Sequence, residues 1–209
     1  MEEIEQDFED PVLGEGWVAG EVRAEFPELR LRTLVVERGP AKTPAAVRQR
    51  LADMSNRFRG PQAIALRRAP VNSAYRVFYR HVGLDPDTTR TPVEEAAVRR
   101  LVHGGFRATN LLDDALLITL METGIPLWAL DAGRVSEPLG IATESSGRLA
   151  VFDEGSRVLA TLFGEVQPPF GVTKASERML LFTVQAPGVP AIFVEEAMHC
   201  CLGVLLGEG

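Results

Sequence analysis

Apolar and polar positions change period along this chain, and the changes mark its elements. Leu29 to Glu37 (LRLRTLVVE) alternates and ends in β-branched residues, the pattern of a half-buried strand. Gly16 to Val22 reads as a weaker strand before it. From Val47 the period becomes helical: Val47, Leu51, Met54 and Phe58 form one stripe. Thr43-Pro44 opens that helix with a hydroxyl at the cap and proline in the first turn, and Gly60-Pro61 is expected to end it. Tyr75 to His81 reads as a short helix or turn, and 83–90 as a loop. Thr91-Pro92-Val93-Glu94 is a capping box, so a helix starts there, with Ala97, Val98 and Leu101 inward. Asn110 caps the next helix, Asp113 and Asp114 suit its positive first turn, and Gly124 stops it. An extended segment then runs to Asp131.

The last third is patterned differently. Four short apolar runs (139–143, 148–152, 158–163 and 178–184) are separated by Gly, Ser, Pro and Asp, which predicts a meandering antiparallel sheet. Pro190 to Leu206 is a final helix, with Val194, Ala197, Met198, Cys201 and Leu205 on one face. Helices and strands neither alternate strictly nor segregate. The expected fold is α+β: a central, mostly antiparallel sheet with flanking helices and a cleft between two subregions. One domain is expected over 12–209, after an acidic tail at 1–11 expected to be disordered.

Composition narrows the class. With 209 residues, 45% hydrophobic and 24% charged, the chain can bury a real core. That excludes a collagen-like chain, a long coiled coil and global disorder. No apolar run approaches the ~18–20 residues of a membrane helix, so no membrane partner is expected. The acidic start lacks the basic and apolar regions of a signal peptide, which predicts a cytoplasmic protein. Cys200 and Cys201 are adjacent and form no disulfide framework.

Charge is distributed unevenly. The net charge is −7, yet residues 57–107 carry ten arginines against four acidic residues. Both flanks are acidic. Arginine's planar fork suits phosphate and carboxylate, so this block is a candidate anion or RNA-backbone site. The competing reading is internal pairing with the acidic residues around it.

Other chemistry is sparse. His81, His103 and His199 are the only histidines, and the consecutive His199-Cys200-Cys201 cannot chelate one ion from a helix, so no metal and no cofactor is expected. Gly-x-Ser-x-Gly, Gly-x-x-x-x-Gly-Lys and Gly-x-Gly-x-x-Gly are absent. Glu195 and Glu196 precede His199 by one helical turn, a possible acid/base pair or simply a solvated face. Glu165, after Gly164, ends an apolar strand and is the one weak catalytic candidate.

Three segments together carry a resemblance. The first is Tyr75-Arg76-x-Phe78-Tyr79-Arg80, followed by Thr89-Arg90-Thr91-Pro92-x-Glu94-x-Ala96-x-x-Arg99-Arg100. The second is Asn110-x-x-x-Asp114, a helix, and Gly124-x-Pro126-x-x-Ala129-x-Asp131. The third is a β-rich tail with Gly164-Glu165. In this order they resemble the third-and-fourth-domain module of the phenylalanyl-tRNA synthetase β subunit, which also occurs as stand-alone bacterial proteins. The resemblance covers roughly 15–206. It implies an α+β fold with a cleft, binding of tRNA or aminoacyl-tRNA, and an editing-type activity that removes tyrosine from the mischarged tRNA.

The resemblance also marks a departure. The family's editing histidine and pocket threonine fall at Trp128 and Leu116, and neither side chain can act as a base or orient a water. Deacylation therefore does not follow from it. What remains expected is a ligand cleft at Trp128, Leu116, Asp131 and Asn110, with Glu165 nearby. RNA or another anion would be held by Arg76, Arg80, Arg90, Arg99 and Arg100. The alternatives are a non-catalytic module for a free amino acid or similar small molecule, and a protein-interaction module.

Overall fold

The computed structural model describes residues 13–207. The acidic tail lies outside the described residues. Among the described residues, two four-stranded sheets and seven α-helices make an α+β fold. The first sheet has the order β1 (Gly14–Glu15), β3 (Arg30–Val36), β8 (Met179–Gln185), β4 (Trp128–Asp131), all antiparallel. The second has β2 (Trp17–Val18) parallel to β5 (Gly140–Thr143), which continues antiparallel into β6 (Leu149–Phe152) and β7 (Val158–Thr161).

β8 lies at the centre of the first sheet, and all seven of its residues are buried. A strand covered on both faces should read as a continuous apolar run, and MLLFTVQ nearly does. The meander expected for the last third therefore covers β5 to β7 only. β8 leaves it to pair with β3 over seven residues, Arg30↔Gln185 through Val36↔Met179.

The helices are α1 (Gly20–Glu25), α2 (Ala45–Arg57), α3 (Gly60–Arg68), α4 (Pro70–His81), α5 (Pro92–His103), α6 (Leu111–Thr123) and α7 (Ala191–Leu206). Several expected boundaries hold. Asn110 accepts the Asp113 N–H at 3.0 Å, and Gly124 takes the left-handed conformation (φ 78°) that ends α6. Thr91 N–H donates to the Glu94 carboxylate, the capping-box contact of α5.

Three readings are corrected. Gly16 to Val22 is not one strand: β2 stops at Val18 and α1 begins at Gly20. Trp17 lies flat over Gly140, where any side chain would collide with its ring, so this pairing is short and specific. Gly60-Pro61 ends α2 but also opens α3, with Arg59 N–H donating to the Gln62 side chain. The segment at 75–81 is the second half of a twelve-residue helix that Pro70 starts. Within α4, Tyr75, Phe78 and Tyr79 turn inward, and the Tyr75 hydroxyl donates to Val184 C=O of β8 at 2.8 Å. Burial pushes the Tyr75 phenol well above its ordinary pKa.

Candidate functional site: a cationic cleft at the start of the sixth helix

Asp114 organises this region. It is 1% exposed. Its carboxylate accepts the Thr109 N–H at 2.9 Å and the Thr43 hydroxyl. Thr43 therefore does not cap α2; its hydroxyl ties the entry of α2 to the first turn of α6, and α2 starts at Ala45. Leu111 N–H donates to Ala41 C=O at 3.0 Å, fixing the 40–43 loop against α6.

The facing wall is the 172–176 loop. Ser176 donates its hydroxyl to Asp131 at 2.6 Å and accepts the Thr173 N–H at 2.9 Å. Asp131 also accepts Gly133 N–H and pairs with Arg134 at 3.2 Å. Asp131 thus holds a wall of the cleft in place through Ser176. Gly39 lies so close to the Ser176 carbonyl that a Cβ there would stand 2.1 Å from its oxygen. The two walls are locked together at that point.

Between them opens a cleft of about 760 Å³ lined by Lys42, Arg48, Asn110 and Lys174. Lys42 and Lys174 are the only lysines in the sequence. Thr109 and Asp113 also line a second hollow of about 450 Å³, so the two are contiguous; the second contributes Arg99, Arg100, His103 and Arg107. Among the described residues, none of Lys42, Arg48, Arg99, Arg100, Arg107 and Lys174 forms an ion pair. Arg48 and Arg100 instead donate to backbone carbonyls, Thr43 at 2.6 Å and Ser55 at 2.6 Å. Asp113 accepts the Asn110 side-chain N–H₂ at 2.7 Å, so it supports the cap and offsets one of the six positive charges. Asp114 also lines the second hollow, so the six cations face two carboxylates and positive charge stays in excess.

The remaining sequence candidates lie elsewhere. Arg76 is buried between α4 and α5, 2.8 Å from Glu94 and 2.6 Å from Asp87. Burial alone would lower the Arg76 pKa, but the hydrogen bonds and charges of Asp87 and Glu94 outweigh it and raise it. In turn the Arg76 guanidinium, with Arg67 and Arg80 beside it, holds the Asp87 carboxyl below its ordinary range. Arg80 reaches Asp87 at 3.8 Å, and Arg90 pairs with Glu95 at 3.4 Å. For Arg76, Arg80 and Arg90 the internal-pairing reading holds; Arg99 and Arg100 face the cleft.

Trp128 is half-buried and stacked on Phe182 (centroids 5.5 Å apart, 17° between planes). Phe163 fills the space beside it and stacks on Tyr79 at 4.8 Å. Phe163 has φ 62°, an uncommon conformation for a bulky residue, and it inserts the ring between α4 and β4. α4 and β4 therefore meet at Trp128 through packed aromatic rings, where the sequence reading expected an open ligand cleft. Leu116 packs half-buried against the core, and Glu165 stands exposed beyond β7. His199 bonds through Nδ1 to Glu195 C=O of its own helix. Burial pushes the Cys201 thiol up to about 12, which leaves it unreactive at neutral pH. Among the described residues, no three His, Cys, Asp or Glu side chains gather as a metal would require, and no helix is long and apolar enough to cross a membrane.

Sequence reasoning missed Lys42, Arg48 and Lys174, and took Arg107 only as one member of the arginine block. The lysines carried a weak trace, being two exceptions in a chain with twenty arginines. The sequence matches no protein-family model and no curated protein.

Proposed function

We propose that this protein binds the acceptor end of tRNA or aminoacyl-tRNA in the cleft at the start of α6, without a committed catalytic step. The observation that carries this reading is the continuity of two hollows through Thr109 and Asp113, lined by six cationic side chains that pair with no carboxylate. Such a run suits a polyanion that enters along Arg99, Arg100 and Arg107 and ends in a compartment with room for a terminal group. Lys42 and Lys174 on opposing walls would meet phosphate or carboxylate, and the Asn110 side chain stands beside them.

The sequence resemblance to the synthetase module supports the same class of ligand. Deacylation is left out because Trp128 and Leu116 occupy the positions where the resemblance calls for a histidine and a threonine. A free amino acid is the second reading. Its support is the amino-acid-scale cleft, with cations for a carboxylate.

Filter binding of unfractionated tRNA at low and rising salt tests the proposal. Expected is binding that weakens steeply with salt and falls about tenfold in Lys42→Gln/Lys174→Gln. Absence of binding at low salt, where phosphate contacts are strongest, would overturn it. A thermal shift with a free amino acid, unaffected by tRNA, would give the cleft to the second reading.

A further inference from the structure

A separate hollow of about 440 Å³ lies where β8 ends and α7 begins, lined by Glu28, Gln185, Val189, Pro190 and Ala191 among others. It shares no lining residue with the cleft at α6. Two sets of its polar groups lack partners, and their needs are opposite. The first is the Gln185 amide. Gln185 is 9% exposed, and its Nε2 donates to Val189 C=O at 2.9 Å. That bond fixes which end of the amide is oxygen, because the flipped amide would set oxygen against oxygen. Oε1 is buried and accepts from nothing among the described residues. A buried amide oxygen without a donor is uncommon in a folded protein and calls for an explanation.

The second is the start of α7. Pro190 holds the N-cap position, where it offers no side-chain acceptor, and no acidic residue lies in the first turn. Phe193 N–H turns back to Pro190 C=O at 3.2 Å, while the N–H groups of Ala191 and Ile192 have no acceptor among the described residues. They stand at the positive end of a sixteen-residue helix. Arg30 and Arg32 also line the hollow, but they are matched with Glu15 at 3.5 and 3.1 Å. The helix end, not the arginines, supplies the free donors.

One hollow thus offers donors for an anion and an acceptor for a donor. An α-amino acid carries both complements on one carbon. We infer that this hollow binds a free α-amino acid by its head, the carboxylate on the Ala191 and Ile192 N–H groups and the ammonium on Gln185 Oε1. Glu28 favours the free molecule over the C-terminal residue of a peptide, whose nitrogen is uncharged. Its exposed carboxylate is held by Gly188 N–H at 3.1 Å and is a second acceptor for an ammonium. Val189, Pro190 and Ala191 make the remaining wall apolar, which suits an aliphatic side chain.

The inference does not rest on the RNA reading, and its test contains no RNA. L-leucine is titrated into the isotope-labelled full chain and amide resonances are followed. Expected are saturable shifts at Ala191, Ile192 and the Gln185 side-chain amide. Isocaproate, which lacks the amine, leucinamide, which lacks the carboxylate, and N-acetyl-L-leucine, which copies a peptide C-terminus, should each bind about tenfold more weakly, having lost one charge-assisted contact. Ala191→Pro removes one N–H at a position where proline fits the helix, so the chain should fold and L-leucine bind about tenfold more weakly. Gln185→Met removes the acceptor and should weaken L-leucine as well. Lys42→Gln/Lys174→Gln should leave the titration unchanged, and the same variant assigns any thermal shift with an amino acid to this hollow or to the cleft at α6. Absence of shifts at the start of α7, or equal binding of isocaproate or N-acetyl-L-leucine, would overturn the inference. Loss of L-leucine binding in the lysine variant would place the amino acid in the cleft at α6 and overturn it as well.

Discussion

Two arginine-bearing surfaces stand on this molecule, and they differ in what has become of their charge. In the groove between α3, α4 and α5 the buried Arg76 is enclosed by Glu94 and Asp87; Arg67 shares both carboxylates and Arg80 shares Asp87. Charge there is spent on holding α4, the 83–90 loop and α5 together, and the exposed floor of Ile64, Val77 and Leu101 is apolar. In the cleft at α6 the cations form no ion pair among the described residues, and the walls are held by neutral hydrogen bonds and by two aspartates beneath them. Arginine count alone would rank the groove and the cleft level as anion sites, with four each. Pairing separates them, because a cation already matched with a carboxylate has little field left for a phosphate.

The largest expected effect tests this difference directly. Arg76→Met leaves Glu94, itself 9% exposed, without its partner. Stability should fall by about 3 kcal/mol, read as the urea midpoint at constant slope. Arg107→Met in the cleft should stay within about 0.5 kcal/mol of the parent. If both variants lose equally, the two surfaces are not different in kind.

Next comes Asp114→Ala. It strands the Thr109 N–H and the Thr43 hydroxyl, at a cost of about 2 kcal/mol for buried groups left without partners. Because it detaches the 40–43 loop, tRNA binding should weaken in the same variant, by more than in Arg76→Met measured under conditions where both remain folded. Gly39→Ala should have a similar but smaller effect on stability, about 1–2 kcal/mol, since the new methyl meets backbone and one wall must shift.

How much of this was legible in the sequence depends on range. Asn110, Gly124 and the Thr91–Glu94 box act within one turn of chain, and their residues announce them. The cleft could not be read in the same way. Lys42 and Lys174 come together only because Leu111 N–H finds Ala41 C=O and Ser176 finds Asp131. Neither contact leaves a periodic trace. Asp131 was legible as a site residue, yet its work is to hold Ser176. Trp128 was misleading for a physical reason: motif spacing fixes where a residue falls in the fold, but Phe163, from a distant turn, decides whether the space beside it is open or filled.

Lys42→Gln/Lys174→Gln sharpens the comparison without touching stability. Both lysines are exposed and form no ion pair among the described residues, so the unfolding midpoint should hardly move. Each lysine that meets a phosphate contributes about 0.7–1 to the salt slope of binding, so the double variant should lower that slope by about 1 to 2. Arg80→Gln in the groove should leave the slope unchanged.

The smallest effect is the dependence of the groove on pH. Asp87 is held below the ordinary carboxylate range chiefly by its hydrogen bond from Arg76, with Arg67 and Arg80 adding charge. A carboxyl depressed in the folded state binds its proton more weakly there than in the unfolded chain. Its contribution is therefore complete above the unfolded pKa of ~3.9 and is lost as pH falls from there through the native value. Asp87→Asn should lower Tm slightly at pH 7, and the two melting curves should converge below about pH 4. Convergence already at pH 6 would mean that some group other than Asp87 closes the arginine network, and the groove would then owe its neutrality to a partner other than the one its geometry indicates.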